Sequence, residues 1–365
     1  MGRRLKILMI SARADFGGGP EHLYRLISLL NERHDIYAAI PDEKPYYDLI
    51  CGLIGRERVY VIPHRKFTIS HLAGLKKFID TNNISVIHSH GKGAGTYSRP
   101  LTLLTKAVCV HTYHGIHIDK YGTLGAKLFI LLDRIFARLT AQFIAAPGEY
   151  REAEKRKLAD INRINIISNG VIIPDVPVNF PVTDSFNILH ITRFDEAKNP
   201  FLLAEIGAEL KNITEPGKIV INVVGEGKEK EELQKKLAAN GCEGFFRFHE
   251  PTSNIAAHYL NSACYLSTSK KEGMPLSVIE AMSYGIPCVV TDVTGNNDLI
   301  TENETGFLYK LDEPRKAAQQ IVRLSQDENL WSKLSIVSRA AAVERFNFKD
   351  RALEIEKVYF KAIMK

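Results

Sequence analysis

Short apolar runs alternate with longer stretches of helical period along the first half of the chain. Residues 5–11 read as a buried strand, and a Gly-rich turn, Phe16-Gly17-Gly18-Gly19-Pro20, follows it. Residues 21–33 then place Leu23, Leu26, Ile27 and Leu30 on one helical face. Residues 36–40, 59–62, 86–88 and 108–112 read as further strands, with helical stretches at 72–81 and 124–140 between them. Near-continuous apolar strands separated by helices predict a parallel sheet covered on both faces. Residues 172–184 interrupt the pattern with Pro174, Pro177 and Pro181, through which no helix can run. The alternation then resumes, with strands at 186–192, 219–224, 263–267 and 288–291 and a charged helix at 226–239. The expected architecture is α/β, two Rossmann-like doubly wound domains facing a cleft. Their expected extents are residues 1–171 and 185–347, joined by a linker at 172–184, with a terminal helix at about 348–365 packing back on the first domain.

A chain of 365 residues suits two such domains, each large enough for its own core. Ordinary fractions of hydrophobic (45%) and charged (25%) residues exclude disordered, collagen-like and low-complexity classes. No apolar run approaches a membrane span. The start of the chain lacks a signal-peptide cleavage pattern, so a cytoplasmic location is expected. Cys51, Cys109, Cys242, Cys264 and Cys288 are odd in number and widely spaced, which argues against a disulfide framework or a structural zinc site. The net charge of +6 is uneven: residues 1–179 hold 25 Lys and Arg against 16 Asp and Glu, the remainder 23 against 26. A basic first half points to an anionic partner, such as an anionic membrane surface or a phosphorylated acceptor. No aromatic interleaving or nucleic-acid module accompanies it, so nucleic acid is not expected.

The strongest chemical signal is STSKKEGMPLSVIEAMSYG, residues 267–285. A strand ends near Ser267, a loop carries Glu272 and Gly273, and Pro275 suits the first helical turn. Gly285 suits the position after the helix, with Pro287 beyond. Backbone N–H groups around Gly273, Met274, Pro275, Leu276 and Ser277 would then meet a phosphate at a positive helix end, although Pro275 itself donates nothing. Glu272 and Glu280 could grip polyols on either side of it. Arg193 and Lys198, on a loop after a strand, could neutralise a leaving diphosphate. Taken singly, each motif serves equally as a solvated loop or helix face. The histidines at 88, 90, 111, 114 and 117 show H-x-H and H-x-x-H-x-x-H spacings that can also supply zinc.

In order along the chain, GGGPE (17–21), HSHG (88–91), HTYHG (111–115), SNGV (168–171), RFDEAKNP (193–200), GEG (225–227) and the E-x7-E pair Glu272/Glu280 resemble the retaining nucleotide-sugar glycosyltransferases of family 4, with the GT-B fold. The resemblance spans nearly the whole chain. It implies that His114, Arg193, Lys198 and Glu272 act at the reacting centre. Gly18, Gly19, Gly225, Gly227, the 273–277 loop and Glu280 would hold the donor. It implies a metal-independent enzyme with no cofactor, since GT-B enzymes use Arg and Lys where others use a metal. The expected substrates are a UDP-sugar and a glycan or polyprenyl-diphosphate-linked acceptor, in bacterial surface-polysaccharide assembly at the inner face of the plasma membrane. Two departures stand out near the nucleotide pocket. Thr294-Gly295-Asn296-Asn297-Asp298 replaces the usual Gly-Gly-Glu, and His249-Glu250 stands where a glycine is common. Two rival readings share the two-domain form: a sugar-nucleotide epimerase, disfavoured by the 272–282 stretch, and a non-enzymatic two-domain sugar-binding protein.

Overall fold

The computed structural model describes residues 4–116, 122–176, 180, 184–252 and 254–364. The chain forms two compact units, Met1–Asn169 with Lys349–Lys365, and Gly170–Phe348.

The first unit is built on a seven-stranded parallel sheet of order β3-β2-β1-β4-β5-β6-β7. Its strands are β1 (Lys6–Ser11), β2 (Asp35–Ile40), β3 (Val59–Val61), β4 (Val86–His90), β5 (Val108–Thr112), β6 (Gln142–Ala145) and β7 (Ile164–Ile166). Helices α1 (Gly18–Leu30), α2 (Tyr46–Ile54), α3 (Ile69–Asn82), α4 (Gly91–Leu104), α5 (Gly122–Ala137) and α6 (Pro147–Lys155) connect them. β1 and β4 are buried almost throughout, as strands covered on both faces must be. One apolar cluster includes Leu8, Ile10, Leu75, Ile87 and Leu101; another holds Tyr113, Phe143 and Leu158.

The second unit repeats the plan with six parallel strands, order β10-β9-β8-β11-β12-β13. They are β8 (Phe186–Ile191), β9 (Ile219–Val224), β10 (Phe246–His249), β11 (Cys264–Ser267), β12 (Cys288–Thr291) and β13 (Gly306–Tyr309). The helices are α7 (Leu202–Lys211), α8 (Lys230–Ala239), α9 (Ile255–Leu260), α10 (Leu276–Ser283), α11 (Pro314–Gln326) and α12 (Glu328–Phe346). The last helix, α13 (Phe348–Ile363), belongs almost wholly to the first unit, where Tyr359 bonds to His88 and Glu356 bonds to Arg33.

Both sheets reverse their winding direction beside the first strand, between β1 and β4 and between β8 and β11. At such a switch point the flanking loops leave in opposite directions and open a crevice beyond the strand ends, where ligands bind in open α/β sheets. The register places Ser11 beside His90 at one of these ends.

Several local expectations shift. The charged helix begins at Lys230 and not at residue 226, because Gly225 and Gly227 take φ of +151° and +148°, which no helix contains. Pro275 caps α10 from outside, with ψ of 118°, instead of occupying its first turn. Within residues 172–184, the Pro174 carbonyl accepts from Arg339 and Phe180 packs edge-on against Trp331, so these parts are fastened to the second unit. Pro177, Pro181 and His117 lie outside the described residues. All five cysteines are free thiols.

Candidate active site

In the second unit the chemistry gathers at the β8/β11 switch point. Arg193 and Lys198 follow β8, and Glu272 follows β11. The two loops are stitched together by hydrogen bonds to backbone carbonyls: Lys270 N–H donates to the Ala197 carbonyl at 3.0 Å, and Thr268 Oγ1 donates to the Lys198 carbonyl at 2.9 Å. Lys198 Nζ thereby reaches Glu272 Oε1 at 2.5 Å, and Ser269 Oγ donates to the same oxygen at 2.6 Å. The pair is mostly shielded from solvent, with side chains 24% and 12% exposed. Arg193 is more open and leans on Asp195 at 3.4 Å.

Gly225-Glu226-Gly227 explains how the Arg193 loop is placed. Phe194 N–H donates to Glu226 O, and Glu229 N–H donates to Phe194 O. A Cβ on Gly225 would stand 1.8 Å from the Thr192 carbonyl oxygen, and one on Gly227 2.7 Å from the Phe194 backbone. The glycines permit backbone-on-backbone packing that holds the cationic loop. Packing alone therefore requires glycine at both positions. The unusual 294–298 segment has a similar task. Glu272 N–H donates to the Thr294 carbonyl, and a Cβ on Gly295, at φ +93°, would meet Glu272 O at 2.8 Å. Asn296 Nδ2 donates to Thr291 O and Oγ1, tying that segment to the end of β12.

Met274 and Pro275 are buried, and Leu276 and Ser277 begin α10, whose first-turn N–H groups have no intrahelical acceptor. Glu280 lies within α10, and its partner differs from those of the Lys198–Glu272 pair. Tyr259 Oη donates to Glu280 Oε2 at 2.9 Å and to the Ser277 carbonyl at 3.1 Å. Burial, with Glu280 adding to it, pushes the Tyr259 phenol well above its ordinary range, so it remains a donor. Tyr259 also stacks on Tyr284 at 5.1 Å. Sequence reasoning missed Tyr259 and Ser269. A tyrosine or serine with no spacing signature gives no sign in sequence of where it will bond.

In the first unit, Gly18 and Gly19 open α1 beside β1. Gly17 precedes them at φ +153°, and nothing lies within 4 Å of a Cβ built on Gly19, which leaves the helix N-terminus approachable. The histidines sort differently from their spacing. His88 is held between Tyr359 Oη (2.7 Å) and Thr112 Oγ1 (2.8 Å), and His111 bonds Ser89. His90 Nδ1 meets His114 Nε2 at 3.0 Å. His22, on α1, completes the group, its ring centroid 5.1 Å from that of His114. Ring nitrogens of His22, His90 and His114 lie within 4.8 Å of one another, a grouping that could hold a metal ion. Neither H-x-H nor H-x-x-H-x-x-H supplies it; one member comes from each of three elements, and His22 was missed.

Burial keeps this cluster neutral. It lowers the His114 imidazole to about 4 and His88 to about 3, and holds His22 and His90 well below the ordinary value. His114 sits at φ +52°, followed by Gly115 at +99°. That left-handed pair turns the chain sharply after β5. Buried Glu149 holds the turn by accepting from the N–H groups of Gly115 and Ala146.

Two parallel doubly wound units, with a cation–carboxylate pair at the switch point of the second, define a GT-B type of protein. The chain belongs to the glycosyltransferases. The family model "Glycosyltransferase Family 4" matches residues 16–173, and "Glycosyl transferases group 1" matches residues 175–340. The chain is 26% identical to an Escherichia coli UDP-Gal:alpha-D-GlcNAc-diphosphoundecaprenol alpha-1,3-galactosyltransferase, covering 92% of this chain and 91% of that one. It is also 26% identical to the E. coli O-antigen biosynthesis glycosyltransferase WbnH, covering 83% and 88%. In fold it matches the crystal structure of Anabaena HepE in complex with UDP and glucose, with a TM-score of 0.83, 17% identity, and 97% and 99% coverage.

Proposed function

We propose that the protein is a retaining hexosyl- or N-acetylhexosaminyltransferase that uses a UDP-sugar and glycosylates a lipid-linked acceptor in surface-polysaccharide assembly. The observation that carries this reading is the contact of Lys198 with Glu272, which sets a cation and a carboxylate side by side at a ligand-binding switch point. Arg193 and Lys198 serve the donor diphosphate and stabilise charge as the sugar–phosphate bond breaks. Glu272 holds donor-sugar hydroxyls and steadies the positive charge that develops at the reacting carbon. Glu280 takes the ribose hydroxyls, with Tyr259 fixing its carboxylate. The open N–H groups of Gly18 and Gly19, and those that begin α10, suit phosphate oxygens. Neutral His114 orients the donor sugar.

The acceptor oxygen attacks on the face that the diphosphate leaves. The bond from the sugar carbon to the phosphate oxygen breaks, the bond to the acceptor oxygen forms, and the acceptor proton passes to the departing phosphate. No covalent enzyme intermediate is needed. The galactosyltransferase relative is named for an α product, which from an α-linked sugar nucleotide is net retention. Its name also specifies a diphosphoundecaprenol acceptor. That chemistry fits an enzyme peripheral to the inner face of the plasma membrane. The basic first half would then face anionic lipid.

With Arg193 and Lys198 to neutralise the leaving diphosphate, this reading needs no metal for transfer. Incubating the protein with a set of UDP-sugars and polyprenyl-diphosphate-linked acceptors, with and without EDTA, tests the whole reading. Transfer with an unchanged anomeric configuration and no loss in EDTA is expected. Epimer formation without transfer would overturn it. Activity lost to EDTA and restored by a divalent ion would overturn the metal-free part and point to the His22–His90–His114 group.

A further inference from the structure

Helix α5 carries two apolar stripes. Ala126, Phe129 and Ile130 pack against the core of the first unit. Leu124, Leu128, Leu131, Leu132 and Ile135 do not, and are 81, 56, 55, 46 and 46% exposed. Their spacing is i, i+4, i+7, i+8 and i+11, which draws one continuous line along the outer face of the helix. At the end of neighbouring α4, Leu103 and Leu104 add 71% and 46% exposure. A helix that met only water would carry polar residues along that line.

The exposed charge along the described residues of α4 and α5 has one sign. Lys92, Lys106, Lys127 and Arg138 are exposed. Among the described residues between 91 and 146, the only acidic side chain is Asp133, which is buried against Arg99. Between α4 and α5 runs a groove of about 320 Å³, with Leu128, Leu132 and Phe136 on one side and Gly95 and Thr96 on the other. α5 has 16 residues, roughly 24 Å of helix, against about 30 Å of bilayer hydrocarbon. No helix among the described residues is long and apolar enough to cross a membrane. An apolar line on a short helix, with exposed cations and no exposed acid among the described residues of 91–146, is the pattern of a helix lying in the plane of an anionic bilayer.

We propose that α5 embeds its leucine stripe in an anionic membrane surface and that the α4–α5 groove takes one hydrocarbon chain of a membrane lipid. The proposal deepens the lipid-linked-acceptor reading by naming the surface that meets the bilayer. It also makes apolar insertion, beyond the overall basic charge, the source of affinity.

Vesicles of phosphatidylglycerol and phosphatidylcholine, in roughly a one-to-two ratio, test it with the full chain. The only natural tryptophan, Trp331, is buried in the second unit and gives a constant background. The emission of Leu131→Trp should shift to the blue on adding vesicles. Lipids brominated in their chains should quench Leu128→Trp, whose ring would lie at the groove. Leu131→Asp should weaken vesicle binding about tenfold or more, with the melting temperature and UDP affinity unchanged, because the site is exposed. An unshifted Leu131→Trp emission, or wild-type binding by Leu131→Asp, overturns insertion. Absence of quenching overturns the occupied groove. Transfer to a short-chain, water-soluble acceptor is measured separately. Its failure alongside intact membrane insertion counts against the enzymatic reading alone.

Discussion

At the scale of single residues, the proposed function gives the Lys198–Glu272 pair one end of a donor and Glu280 the other. Removing Lys198 leaves Glu272 with Ser269 as its remaining close partner, an exchange that a partly shielded carboxylate tolerates without unfolding. Lys198→Ala should therefore cut kcat by about a hundredfold or more, with only a small change in melting temperature. Steady-state kinetics beside a thermal melt checks this, and near-normal kcat would remove Lys198 from the reacting centre. Glu280→Ala should cost about 1.5–3 kcal/mol of UDP affinity, the worth of charge-assisted hydrogen bonds. Tyr259→Phe should lose less, because it removes only the donor that steadies the carboxylate. Calorimetry showing equal UDP affinity in wild type and Glu280→Ala would sink the ribose assignment.

At the scale of elements, the loops matter more than the helices they join. Gly225 lies so close to the Thr192 carbonyl that a methyl group cannot be added without parting β8 from the β9–α8 loop. Gly225→Ala should destabilise the second unit by several kcal/mol and displace Arg193, whereas Gly19→Ala, facing open space, should change stability by less than about 1 kcal/mol. Urea denaturation of the two variants decides it; equal stabilities would show that the loop packing relaxes freely. These loops were only half legible in the chain. GEG was visible as a turn, and its reason, backbone touching backbone across two strands, was not. The strand after residue 305, β13, had no place in the sequence pattern, being four residues long beside a polar loop.

At the scale of the whole molecule, buried neutral histidines set the response to acid. The unfolded imidazole titrates near 6.5, whereas the native groups lie at about 3 for His88 and about 4 for His114 and His190. A depressed native value means that the unfolded chain takes up more protons. The stability these groups contribute is complete above pH 6.5 and is lost as the pH falls toward 3. The first unit holds six of them among the described residues, His22, His34, His88, His90, His111 and His114, while Glu149 there, whose carboxyl is pushed up by burial, acts in the opposite direction. His190 is the one fully buried example in the second unit among the described residues. Acid titration should therefore lose part of the far-ultraviolet circular dichroism before the emission of Trp331, which reports on the second unit, begins to change. Coincident transitions, or a flat stability profile between pH 7 and 5, would contradict this.

The amino-acid sequence determined the architecture and the class of enzyme. Period and turn chemistry are local, so alternating strands and helices, the break at the prolines and the ordered glycosyltransferase motifs could be read directly. It also showed which loops carry cations and carboxylates. Tertiary structure alone decided which side chains meet. Lys198 and Glu272 are 74 positions apart, and only the adjacency of β8 and β11 brings them together. His22, His90 and His114 converge because α1, β4 and β5 meet at one sheet end, while His111, at equally suggestive spacing, turns to Ser89. The exposed stripe on α5 had the same periodicity as the buried one. Which apolar face the core takes depends on what else packs there, and no local pattern contains that information.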